Sequence, residues 1–139
     1  MTDDSPAALP VVGQADWEAL RLAAVAAMER AYAPYSKFKV GAAALTEDGR
    51  TVSGCNVENA AYGVTLCAEC NMVGELFATG GGKLHAFYCV DATGTSLMPC
   101  GRCRQLLFEH SGERMQLMTP RGIQTMDQVL PDAFGKHNL

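Results

Sequence analysis

The sequence predicts one α/β domain built on a mixed sheet, and three observations carry that expectation. A chain of 139 residues is long enough for one domain with a substantial core and too short for two ordinary ones. With 48% hydrophobic and 19% charged residues, it has the composition of a folded soluble protein rather than a disordered one. After an opening strand–turn–strand, the apolar spacing alternates between the helical and extended periods, the pattern of an α/β layer architecture.

Residues 1–15 mix prolines, a glycine and small residues and read as a loose leader, leaving 16–139 as the single domain. From Asp16 to about Tyr32, Trp17, Leu20, Ala24, Ala27 or Met28, and Ala31 recur every three or four residues, as on one face of a helix. Asp16 is the expected N-cap, and Pro34 limits the far end. Phe38–Leu45 and Thr51–Asn56 flank an Asp48-Gly49 turn and read as paired strands, with Gly41 marking a close backbone approach. A loop from Val57 to Thr65 leads into a helix from near Cys67 to Thr79, which Gly80-Gly81-Gly82 ends. Leu84–Val90 reads as a buried strand and Arg102–His110 as a helix. Gln116–Thr119 and Ile123–Met126 are expected as short strands about a Pro120-Arg121-Gly122 turn, and Gln128–Phe134 is ambiguous. No repeat or low-complexity tract interrupts this order.

The formal charge of −4 resides in the first twenty residues, where Asp3, Asp4, Asp16 and Glu18 face no Lys or Arg. Residues 21–139 balance eleven acids against eleven bases and show no clustered basic patch. A nucleic-acid-binding surface is therefore not expected, and a small neutral substrate is. The amino-terminal stretch is acidic, and no apolar run approaches the roughly 18 residues of a membrane helix, so a cytoplasmic location and no membrane partner are expected. Six cysteines in such a setting suggest metal ligands or core residues rather than disulfides.

Four of the six form two pairs of equal spacing, Cys67-Ala68-Glu69-Cys70 and Cys100-Gly101-Arg102-Cys103, with 29 residues between them. Two such pairs are compatible with a closed four-thiolate structural zinc; a redox role has less support, since nothing else suggests a thioredoxin-like unit. Both pairs fall at expected helix starts, where the helix dipole offsets thiolate charge and a ligand can project past the helix end. Glu69 lies inside the first pair and Pro99 precedes the second. A carboxylate beside three ligands and a water is the apparatus of metal-assisted hydrolysis: the metal acidifies the water and the carboxylate moves its proton. Elsewhere Glu69 would read as a solvated helix residue, and its i, i+2 relation to Cys67 lets both reach one metal only if Cys67 sits at the helix start.

The strings Cys67-Ala68-Glu69 and Pro99-Cys100-Gly101-Arg102-Cys103 resemble the signature of the zinc nucleoside deaminases, in the form with cysteine at the first ligand position. Pro34-Tyr35-Ser36-Lys37-Phe38 with Val40-Gly41-Ala42-Ala43, Gly54-Cys55-Asn56-Val57-Glu58-Asn59-Ala60, and Leu130-Pro131-Asp132-Ala133-Phe134 are similar, in the same order, to further motifs of the small cytidine deaminases. The likeness spans about Trp17 to Phe134. It implies a three-layer α/β/α fold with a roughly five-stranded mixed sheet and one zinc per subunit. Cys67, Cys100 and Cys103 would hold the metal, with water in the fourth place. Glu69 would take the water's proton, pass it to ring N3 and later protonate the departing amino group, so that cytidine, and with it 2′-deoxycytidine, yields the uracil nucleoside and ammonia in pyrimidine salvage. Asn56 and Glu58 would bind the ribose 3′-hydroxyl, Phe38 would pack near the base, and the Ala68 backbone would orient the pyrimidine. Members of this size are homotetramers with shared sites, in which Tyr62 and Phe134 would approach a neighbour's pocket.

Several of these residues also have plainer readings: Phe38 as core, Asn56 and Glu58 as a strand end and loop start, Phe134 as a hydrophobic plug. His85, His110 and His137 stand outside the constellation, and Cys55 and Cys89 read as small core residues. The chain departs from its relatives at Cys70, where many carry an arginine. Three thiolates on one zinc leave a net negative charge, so Arg104, or failing it Arg102, is expected to hydrogen-bond a thiolate in its place. Cys70 also keeps a closed four-cysteine scaffold open as a rival function, alongside deamination of a cytosine-containing antibiotic such as blasticidin.

Overall fold

The structure, a computed structural model, describes residues 9–139, so the greater part of the expected leader, residues 1–8, lies outside the described residues. Helix α1 (Gln14–Glu29) begins two residues before the expected start. Gly13 is the N-cap, and Asp16 acts from inside the first turn, its Oδ2 accepting the Gly13 N–H at 2.9 Å. A carboxylate at the third helical position serves the same unpaired donors and dipole that an N-cap side chain would. The buried stripe is Trp17, Leu20, Ala24 and Met28, close to the one the spacing predicts.

Strands β1 (Gly41–Thr46) and β2 (Thr51–Cys55) form the expected antiparallel hairpin, with Gly49 at positive φ in its turn. A single 3₁₀ turn at Tyr62–Val64 precedes α2 (Ala68–Ala78), and β3 occupies Leu84–Val90. Helix α3 (Gly101–His110) runs directly into β4 (Ser111–Thr119), which starts five residues earlier than Gln116. Its exposed first half, including Glu113 and Arg114, carries no apolar alternation that would have marked it. Strand β5 (Gly122–Thr125) ends at the one-turn helix α4 (Met126–Val129), so Met126 opens a helix rather than closing a strand.

The sheet order is β2-β1-β3-β4-β5, antiparallel except for the parallel pair β3–β4 that α3 connects. Alternation along the strands divides the core between two faces. Ala43, Ala86 and Val90 meet the buried stripe of α1. Ala42, Ala44, Val52, Phe87 and Cys89 meet Met72 and Leu76 of α2 and Leu107 of α3. The result is the three-layer α/β/α arrangement.

Two glycines let the helices approach the hairpin closely. A Cβ on Gly41 would lie 1.9 Å from the Ala24 carbonyl oxygen on the α1 side. One on Gly54 would lie 2.4 Å from the Met72 nitrogen and 2.6 Å from the Ala68 oxygen on the α2 side. The second contact sets the start of α2 against the end of β2, and Asn71 Nδ2, donating to the Cys55 carbonyl at 2.7 Å, ties the same junction.

Candidate active site

Cys67 and Cys100 are the N-cap residues of α2 and α3, both in extended backbone conformation, and Cys103 lies in the first turn of α3. Packing α2 and α3 on one face of the sheet brings these two helix starts together. The three sulfurs lie within 4.8 Å of one another, from the exposed Cys100 to the fully buried Cys103, and Cys70 is not part of that group. A tetrahedral zinc with Zn–S bonds near 2.3 Å needs sulfurs about 3.8 Å apart, a spacing that sulfurs within 4.8 Å of one another can meet. The donor set fits too, because three soft thiolates leave one tetrahedral position free, and two helix N-termini oppose their charge. Burial pushes the Cys103 thiol far above the ordinary range, and the Glu69 carboxylate beside it adds to the effect. Burial likewise raises Cys67. Both thiols are thus protonated without a metal and must surrender their protons to bind one.

Glu69, at the second position of α2, is only 4% exposed. Its Oε1 accepts a hydrogen bond from the Cys89 thiol of β3 at 3.2 Å. A buried carboxylate next to the sulfur cluster, with its second oxygen unused by that bond, is disposed for proton transfer. The helix start places Cys67 and Glu69 side by side, so their i, i+2 separation is no obstacle.

Two of the substrate-binding candidates, Asn56 and Glu58, directly follow the end of β2. Asn56 is held on both ends of its amide: Oδ1 accepts from the Val40 N–H at 2.9 Å, and Nδ2 donates to the Phe38 carbonyl at 2.8 Å. Its second amide hydrogen remains for a ligand. Glu58 Oε1 accepts the Tyr35 and Ser36 N–H groups at 3.0 and 3.1 Å. Hydrogen bonding from Ser36 is the chief cause that holds this carboxyl below the usual range. Residues 56–58 are themselves held between Tyr32 and Leu66 by backbone bonds. The loop they secure carries Lys37 at φ 61°, an uncommon conformation for a side chain with a Cβ, directly before Phe38.

Phe38 is 51% exposed, Tyr62 75% and Phe134 61%, and Tyr35 meets Tyr62 edge to face with ring centres 6.1 Å apart. Phe38 is therefore not core within one chain. Phe134 belongs to a C-terminal segment fastened to α3 by Gln105 Nε2, which donates to its carbonyl at 2.8 Å. Ala68 is buried at the first position of α2, where its N–H is one of the donors a helix start leaves unpaired. Arg104 sends Nη1 to the Val129 carbonyl at 2.8 Å, and its buried Nε–H has no partner; Arg102 is exposed. A separate cavity of about 320 Å³ between β4, α4 and the C-terminal segment, lined by residues such as Lys83, Phe108 and Met126, shares no residue with this cluster.

The sequence reading missed one participant. Cys89 was expected to be a small core residue; it is buried, but it faces Glu69. Only the strand's alternation hinted at this, by setting Cys89 on the same face as Phe87.

A profile of the cytidine and deoxycytidylate deaminase zinc-binding region matches residues 15–119, which include all three clustered cysteines and Glu69. The chain belongs to that family. It is 56% identical over 124 residues to a cytidine deaminase of Mycobacterium tuberculosis, covering 89% of this chain and 93% of the relative. Among solved structures, the crystal structure of cytidine deaminase from Mycobacterium leprae shares 61% identity with a TM-score of 0.82, covering 84% of this chain and 98% of that one. The Mycobacterium tuberculosis cytidine deaminase crystal structure gives 57% and 0.83, with 86% and 98% covered. Membership in a zinc-binding deaminase family agrees with the metal that the three-sulfur cluster fits. Among the described residues, no helix is long and apolar enough to cross a membrane.

Proposed function

We infer that this chain is a zinc-dependent cytidine deaminase, hydrolysing the exocyclic amine of cytidine, and by the same chemistry of 2′-deoxycytidine, to give the uracil nucleoside and ammonia. The observation that carries the reading is the pairing of three clustered sulfurs with one buried carboxylate, Glu69, at the start of the same helix as Cys67. Cys67, Cys100 and Cys103 would hold one zinc per chain, which supplies the Lewis acidity that brings a bound water's pKa toward neutrality. Glu69 would take one proton of the attacking water and deliver it to ring N3, then move the second, from the hydroxyl now on C4, to the departing amine, so that the C4 carbonyl forms as the C–N bond breaks. Its place among buried side chains excludes bulk water, which strengthens its contact with the reacting atoms.

The remaining roles follow from the groups left free. The second Nδ2 hydrogen of Asn56 and Oε2 of Glu58 bind the ribose 3′-hydroxyl as donor and acceptor. Recognition at the 3′ position makes no demand on a 2′-hydroxyl, which supports deoxycytidine as a second substrate. Phe38 packs against the base, and the Ala68 N–H orients it. The exposure of Tyr62 and Phe134 supports a homotetramer in which these rings close a neighbour's site. Arg104, through its unpartnered Nε–H, or Arg102 offsets the thiolate charge from outside the coordination shell. The setting proposed is cytoplasmic pyrimidine salvage.

The test is conversion of cytidine to uridine by the purified protein, followed by ultraviolet absorbance, with Glu69→Ala in parallel. Turnover by the parent and its loss in a variant that keeps zinc is the expected result. A parent that holds zinc yet leaves cytidine and deoxycytidine untouched overturns the reading.

A further inference from the structure

Cys89 is a fully buried thiol that takes no part in the proposed reaction, and it donates a hydrogen bond to Oε1 of Glu69 at 3.2 Å. Its position is closely determined. In the β1–β3 ladder Cys89 stands opposite Ala42, whose small side chain leaves room on that face, and its carbonyl accepts the Leu97 N–H at 2.9 Å. The strand's alternation then aims the side chain at the α2–α3 layer, where Glu69 begins α2.

A carboxylate that shuttles protons must keep one oxygen free and turned toward the substrate. Two thiols face Glu69, those of Cys103 and Cys89. Cys103 belongs to the sulfur cluster and surrenders its proton when metal binds. Cys89 lies outside the cluster, so it still has a hydrogen to donate in the loaded enzyme. Burial and the neighbouring carboxylate both favour the neutral thiol there.

We propose that Cys89 is a positioning residue for proton transfer: its S–H anchors Oε1 of Glu69 and thereby presents Oε2 to the reacting water and ring. The bond leaves substrate binding untouched and acts on the chemical step. This proposal rests on the reading of Glu69 as proton carrier, and the experiment separates the two.

The zinc-loaded protein is compared with Cys89→Ser, Cys89→Ala and Cys89→Val, each rate expressed per bound zinc. Val preserves the packing without a donor, and Ser preserves a donor with slightly less bulk. The proposal predicts that Ala and Val lower kcat on the order of tenfold, the rate equivalent of one hydrogen bond to an ionised group, at unchanged KM. It predicts that Ser recovers most of the rate. A purely packing role predicts the reverse order, with Val near the parent and Ser impaired, and that result overturns the proposal.

A second readout does not depend on activity. The S–H stretching band of Cys89, assigned by its loss in Cys89→Ser, should lie below that of an unbonded thiol and rise in Glu69→Gln, where the acceptor loses its charge. A band that ignores Glu69→Gln also overturns the proposal. If the parent itself fails to turn over cytidine while the band responds, the reading of Glu69 as proton carrier fails and the proposal falls with it, although the Cys89–Glu69 contact is real.

Discussion

At the cysteine end of the site Cys67, Cys100, Cys103 and Glu69 leave from the starts of helices packed on the sheet, whereas at the aromatic rim Tyr35 and Phe38 hang from a loop tied by one amide and one carboxylate. Cys67, Cys100, Cys103 and Glu69 owe their positions to the core beneath α2 and α3, with Gly54 setting the approach. Phe38 and Tyr62 are more than half exposed and Tyr35 nearly half, and Asn56 and Glu58 spend half their hydrogen-bonding capacity on the backbone of the loop that carries Phe38. The difference teaches that the sulfur–carboxylate end is preorganised within one chain, while the rim leaves its aromatic rings exposed. Substitutions at the first end should therefore abolish metal or rate, and those at the second should weaken affinity and stability by increments.

The largest effect is expected at the sulfurs and Glu69. Cys103→Ala should lower bound zinc to near zero in elemental analysis and remove turnover with it. Glu69→Ala should keep the zinc and cost about 10²–10⁴ in kcat, the range of general acid–base catalysis. Next comes the junction that carries them. Gly54→Val puts side-chain atoms into the backbone of α2 at Ala68 and Met72. It should lower stability by about 1–3 kcal/mol, the usual cost of overpacking, and reduce the rate as well, because Cys67 and Glu69 ride on the displaced helix. Stability unchanged in urea unfolding would show that α2 is not held this way.

How much of this could be read from the chain divides along the same line. The cysteine end was legible because its cysteines lie in two short strings, and Pro99 and Gly101 mark the second helix start. The central elements α2, β3 and α3 appear within a residue of their expected bounds. What the strings could not convey was contact across the layers. Cys89 and Glu69 are separated by twenty positions and meet only when β3 packs beneath α2. Asn56 and Glu58 were expected as ribose ligands; the structure shows each as a clamp on residues 35–40, which depends on a loop closing over them. The first half of β4 was hidden because its side chains are exposed, and Asp16 was taken for a cap because the same carboxylate–amide bond can be made from either side of the helix boundary.

Smaller effects should appear at the rim. Asn56→Ala removes two backbone contacts and should cost about 1–3 kcal/mol, at roughly 0.5–1.5 per bond, together with a rise in KM larger than any fall in kcat. A fall in kcat alone would assign Asn56 to the chemical end. Glu58→Gln should give the smallest and most pH-dependent change in stability. Hydrogen bonds from Ser36 and Tyr35 lower the folded-state pKa of Glu58, so its charged form is the one the fold favours. That contribution is complete above the ordinary carboxylate value of about 4.3 and is lost as pH falls through the lowered value. Melting temperatures of parent and Glu58→Gln should therefore differ at neutral pH and converge in acid. A constant difference across that window would mean the carboxylate is not what clamps the loop.

The central claim is that three sulfurs, and not four, form the metal site and leave one position for chemistry. X-ray absorption at the zinc edge of the loaded protein counts them directly. Three sulfurs near 2.3 Å, about the usual Zn–S length, with one lighter ligand, and the same spectrum from Cys70→Ser, are the expected result. Four sulfurs in the parent, falling to three in Cys70→Ser, would make the site closed and structural and contradict the account.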